Sequence, residues 1–147
     1  MKTSKSGLDL IKHFEGVRLQ SYLCPAGVWT IGYGHTKGVK AGQEITEDLA
    51  TMLLEDDLRE AEAAVVKYVR VDLAQNQFDA LVSFTFNVGT GNLKKSTLAK
   101  MAKQNPSNPL IENEFLKWKN ARVNGKLKPL PGLIRRRQAE ANLYFMK

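Results

Sequence analysis

Between Asn76 and Gly89 the chain reads NQFDALVSFTFNVG, apolar on nearly every side of a helix. Such a helix has no face to offer water, so it must run through the middle of the fold with other elements around it. Gly89 supplies its stop. The chain has 147 residues, 43% of them apolar and 25% charged. That suits one domain able to bury well over half of its unfolded surface without staples. Cys24 is the single cysteine, so no internal disulfide can form.

The wrapping elements can be placed from local signals. In SGLDLIKHFEG, Ser6 is read as a helix cap with Asp9 three residues on. Leu8, Ile11 and Phe14 form the apolar stripe, and Gly16 is the stop, which puts Glu15 on the last turn. From Leu19 to Tyr33 the pattern is strand-like, with CPAG as turn chemistry and VWTIGY rich in β-branched and aromatic residues. This predicts a β-hairpin, with a third short strand through TKGVKAGQEI. Thr46 caps a long helix to about Val69, with Leu49, Met52 and Leu53 facing inward and Asp57 one turn on. Ser96 caps a short helix, LIENEFLKWKNA is helical, VNGKLKPLPG is a loop, and GLIRRRQAEANLYF is a final amphipathic helix. The layout is α+β, with the sheet segregated near the N-terminus.

The formal charge is +7, so anionic partners are expected: nucleic acid, anionic lipid or cell-wall polymer. No zinc-finger spacing or RNA-binding aromatic pair is present, which argues against nucleic acid. The N-terminus lacks a signal-peptide core, and no run approaches the length of a membrane span. From Lys117 to Arg137 there are eight lysines and arginines and no acids. Two readings stay open: a solvated face whose arginines pair with acids elsewhere, or a surface attracted to anionic wall polymer or lipopolysaccharide phosphates. Trp118, Leu127, Leu130, Leu133 and Ile134 could help such a segment rest on a membrane.

Three residues stand at a telling spacing. Glu15 is followed by eight residues, Cys24, five more residues, and Thr30 in TIGYGHT. Singly, each has an ordinary reading: a solvated glutamate, a small buried thiol, a strand threonine. Together they match the signature of the phage-type lysozymes, glycoside hydrolase family 24, which the chain resembles over nearly its whole length. NQFDALVSFTFNVGTGNLKKSTL is similar to that family's central helix and following segment, and GLIRRRQAEANLYF to its last helix.

The resemblance implies a lysozyme-like fold: a single domain over 1–147, with a β lobe of about 17–45, a helical lobe of about 1–16 and 46–147, and a cleft between. It implies a muramidase that hydrolyses the β-1,4 bond between N-acetylmuramic acid and N-acetylglucosamine, with inversion. Glu15 would be the general acid, its pKa raised in an apolar cleft toward about 6. Cys24 and Thr30 would hold the attacking water. A thiol is a poorer base than a carboxylate, so Cys24 is expected to position rather than deprotonate, or only to pack. Gly34, Thr36, Phe86, Asn87 and Thr97 are expected to face substrate, although Phe86 could equally be core. His35 and Asp57 are read as a structural ion pair, because two histidines and one cysteine at these spacings make no zinc site. No metal or cofactor is implied, and a monomer is expected. The family resemblance suggests storage in the host bacterial cytoplasm and release to the wall through holin pores.

Two other classes compete. A basic binding scaffold would have no reason to keep Glu15, Cys24 and Thr30 at this spacing. A cysteine peptidase or amidase would need a base beside Cys24, with His35 the candidate.

Overall fold

A computed structural model describes all of residues 1–147. Its elements are α1 (Lys5–Glu15), β1 (Arg18–Leu23), β2 (Trp29–Gly32), α2 (Glu47–Tyr68), α3 (Gln75–Val88), α4 (Thr90–Lys95) and α5 (Thr97–Gln104). The last four are α6 (Ile111–Leu116), β3 (Asn120–Val123), β4 (Lys126–Pro129) and α7 (Pro131–Tyr144). The two hairpins form separate two-stranded antiparallel sheets.

Helix α3 is the axis. Every residue from Phe78 to Thr85 is buried, and α1, α2 and α7 pack around it. Its one buried acid, Asp79, accepts from the Ser4 backbone N–H at 3.0 Å, from the Ser4 hydroxyl and from Gln75 at 2.8 Å. This network moves the start of α1: Ser4, not Ser6, is the N-cap residue, and its hydroxyl serves α3 rather than its own helix. Aromatic edges close the far side, with Phe84 against Phe115 at 5.8 Å and against Trp118 at 5.5 Å between ring centres.

Helix α2 joins the small β lobe to the helical lobe. The Thr46 hydroxyl accepts from the Leu49 N–H at 3.2 Å, as a cap should. The buried stripe is Ala50, Leu54, Leu58, Ala61 and Val65, not the expected Leu49, Met52 and Leu53. Met52 is 61% exposed and Leu49 is exposed as well. The stripe begun by Leu49 and Leu53 runs on into Asp56, Asp57 and Glu60. The stripe through Ala50 and Leu54 stays apolar for the whole helix, and over 22 residues the longer stripe decides the rotation.

In the β lobe Tyr22 pairs with Thr30 and Leu23 with Trp29 across a turn in which Gly27 takes φ +79°. The expected third strand is reduced to a single bridge between Gln20 and Glu44. The C-terminal part departs further from expectation. Helix α6 stops at Leu116, and the segment read as a loop is the β3–β4 hairpin. Asn124 and Gly125 form its two-residue turn, both at positive φ (53° and 80°), the geometry that matches strand twist.

Candidate active site

Glu15 ends α1, where Gly16 breaks the helix at φ +71°. Its side chain is 22% exposed, and Oε2 accepts from Arg136 Nη1 of α7 at 2.6 Å. The other oxygen faces the turn after β2. That turn is closed by reciprocal Ile31–His35 backbone hydrogen bonds of 2.9 Å, and Gly34 within it has φ +86°. A Cβ built on Gly34 would lie 3.5 Å from Glu15 Oε1. The carboxyl is thus held at one oxygen and free at the other. The apolar surroundings expected for Glu15 are replaced by an ion pair on one side, with His13, Phe14, Leu130, Leu133 and Arg135 lining the same recess of about 530 Å³.

Strand β2 connects this turn to Thr30, which is buried and donates its hydroxyl to the Val28 carbonyl at 3.0 Å. Cys24 lies across the same turn. The Val28 backbone amide, with Ala26, the Thr30 hydroxyl and Gly27, holds its thiol below the usual cysteine value, against a smaller opposing effect of burial. The structure therefore brings Cys24 and Thr30 together, and sets Glu15 beside Gly34 on the turn that extends Thr30's strand.

His35 is fully occupied. Nδ1 lies 2.8 Å from Asp57, and Nε2 lies 2.9 Å from the Lys37 carbonyl. Neither nitrogen is available to Cys24, so the cysteine-hydrolase reading loses its base. Phe86 is half-buried and lines a recess of about 330 Å³ with Asp57, Glu60 and Thr90. Asn87 borders the Glu15 recess and accepts from Arg137 Nη2 at 2.5 Å. Thr36 and Thr97 are exposed and line neither recess.

The sequence reading left the acids beneath Glu15 that pair with the RRR arginines unnamed. The expectation that arginines of this run pair with acids elsewhere holds for Arg136 and Arg137, but both are buried rather than on a solvated face, and only Arg135 of the three faces water. Arg136 Nε donates to Glu140 Oε2 at 3.2 Å and Nη2 to the Ser83 carbonyl at 3.1 Å. Ser83 gives its hydroxyl to Glu140 at 2.5 Å, and Arg137 Nε sits 3.1 Å from Glu140 Oε1. Burial pushes the Glu140 carboxyl up, and Arg137 and then Arg136 pull it back. Burial likewise lowers Arg137, opposed by Glu140. The signal was present in RRRQAE, where Glu140 stands three and four residues after Arg137 and Arg136. A serine inside an otherwise apolar helix was the second clue.

A family model described as phage lysozyme matches residues 12–140, a span that runs from the helix bearing Glu15 to Glu140. The chain belongs to the phage lysozyme family. It is a glycoside hydrolase by that membership. The endolysin of Acyrthosiphon pisum secondary endosymbiont phage 1 is 45% identical over 98% of both chains. The endolysin of Bacillus phage B103 is 44% identical over 99% of this chain, which spans only 54% of that longer protein. Among solved structures, the muramidase domain of SpmX from Asticaccaulis excentricus superposes with a TM-score of 0.91 at 39% identity, covering 99% of each.

Proposed function

We propose that this lysozyme cuts the β-1,4 bond between N-acetylmuramic acid and N-acetylglucosamine in peptidoglycan, with Glu15 as general acid and Cys24 and Thr30 holding the water. The glycan lies between the β lobe of about 17–45 and the helical remainder of one domain. The observation that carries this is the asymmetric holding of Glu15. Arg136 takes Oε2 and leaves Oε1 over Gly34, where no side chain intervenes. A proton on Oε1 is then placed to meet the leaving glycosidic oxygen. Water held at the Cys24–Thr30 pair attacks the opposite face of the sugar. Such an arrangement inverts configuration when room for that water separates the two groups. The thiol is not a strong base at neutral pH, so Cys24 accepts a hydrogen bond from the water and orients it. Gly34, Thr36, Phe86, Asn87 and Thr97 are the candidate contacts along the glycan.

Borohydride labelling of digested peptidoglycan tests the reading. New reducing ends recovered as muramitol support it; new free amines would mean that a peptide or amide bond was cut instead. The anomer first released, followed by NMR, reads the inversion.

In this reading the enzyme accumulates in the host cytoplasm, reaches the wall through holin pores and acts as a monomer, releasing phage progeny. The exposed basic residues of the C-terminal part favour lipopolysaccharide phosphates as a second partner: Lys119, Arg122, Lys126, Lys128 and Arg135, with Leu127 63% exposed among them. Charge reversal at Lys126 and Lys128 should weaken lysis of intact Gram-negative cells and leave digestion of purified wall intact. Equal lysis of intact cells would remove that partner.

A further inference from the structure

We infer that Glu140 is a positioning residue for the general acid: a fully buried carboxylate that fixes Arg136 and balances the second guanidinium, so that Glu15 faces one effective positive charge rather than two. The inference rests on the reading of Glu15 as general acid.

The geometry forms a relay. Glu15 Oε2 and Glu140 Oε2 both accept from Arg136, through Nη1 at 2.6 Å and Nε at 3.2 Å. Arg136 is buried, 4% exposed, and its planar fork cannot rotate without releasing one carboxylate. Glu140 is 0% exposed and is held a second time by the Ser83 hydroxyl of α3. Arg137, also 0% exposed, leans on Glu140 rather than on Glu15. The count of charges explains the arrangement. Two guanidiniums and two carboxylates sum to zero only while Glu140 is ionised. A lone guanidinium holding Glu15 would need no second buried acid. Two would over-stabilise the ionised form of a group that must give up a proton during the reaction.

The charged groups facing Glu15 are few. Arg136 comes from α7, Arg135 and His13 line the recess, and on the β-lobe side the Gly34 backbone lies beside Oε1. Glu140 is faced by Arg136 and Arg137 on its own helix and by Ser83 on α3. Removing the Glu140 charge must therefore be felt at Glu15 chiefly through the two arginines.

The test is the pH profile of kcat on purified peptidoglycan. Glu140→Gln keeps size and hydrogen-bonding capacity and deletes the charge. Its alkaline limb should move down by roughly half a unit to one unit. Arg137→Gln should move the same limb up, and the double variant, charge-balanced again, should return it toward the parent. Cys24 lies in the β lobe, so its contribution cancels in these differences. If Glu140→Gln does not fold, the Arg137→Gln arm reads the same coupling with opposite sign. A limb that stays in place in the folded variants overturns the inference. Full activity in Glu15→Gln would instead defeat the underlying reading of the acid, so the two failures are distinguishable.

Discussion

Arg136→Lys isolates geometry from charge. The substitution keeps a cation under Glu15 but replaces a rigid fork with a single ammonium on a shorter reach. Arg136 spans two carboxylates, 2.6 Å to Glu15 and 3.2 Å to Glu140, and Lys can satisfy one. One charge-assisted bond to a carboxylate is lost, worth about 1.5–3 kcal/mol, and the donation from Nη2 to the Ser83 carbonyl is put at risk with it. Glu15 is 22% exposed, so water recovers part of that loss. For a domain of this length the melting temperature should fall by about 3–12 °C. The larger effect is catalytic. With Oε2 released, Glu15 Oε1 is no longer fixed over Gly34, and a misplacement of about 1 Å costs on the order of a hundredfold in kcat. Urea denaturation gives the stability term, and initial rates of peptidoglycan digestion give kcat and KM. The expected pattern is a fall in kcat with KM nearly constant. A lysine variant with parental kcat would refute the claim that the fork positions the acid, whatever its stability.

Three further outcomes follow from the same contacts. Ser83→Ala removes a buried 2.5 Å donor to Glu140 and should cost about 1.5–3 kcal/mol in denaturant unfolding, with a loss under 0.5 showing that Glu140 does not depend on it. Gly34→Val places a β-branched residue at φ +86° with its Cβ 3.5 Å from Glu15 Oε1; strain of about 1–2 kcal/mol and near-complete loss of activity are expected, and an active variant would move the acid's free oxygen elsewhere. Cys24 should react with iodoacetamide at a lower pH midpoint in the native protein than in urea, because the surrounding amides stabilise the thiolate. The sign of the linkage is fixed. A depressed folded value adds stability that is fully present above the unfolded cysteine pKa and is lost as pH falls through the folded one. Identical midpoints would remove the amide cradle.

What the sequence revealed and hid has a physical pattern. The all-round apolar stretch of α3 announced an axial helix, and Thr46 and Ser96 announced their helices, because caps and periodicity are local properties. Glu15, Cys24 and Thr30 were legible as a spacing that the family resemblance made meaningful. The rotation of α2 was hidden because Leu53 and Leu54 are adjacent, and choosing between them needs the whole length of the helix. The β3–β4 hairpin was hidden although Asn124–Gly125 is a strong turn signal, because its flanking strands carry lysines where an alternating apolar face would be expected. The buried Arg136–Glu140–Arg137 cluster was hidden for a deeper reason. That three consecutive arginines seek acids is legible, but which acids they meet and how deeply depends on a serine on a distant helix and a glutamate at the end of α1.

The most direct measurement counts new reducing ends released from purified peptidoglycan by the parent chain and by Glu15→Gln at equal folded concentration. The account predicts muramic acid ends from the parent and a loss of at least a hundredfold in the variant, since the amide cannot deliver the proton. Equal release by the two proteins would contradict it, and the proton would have to come from another group in the cleft.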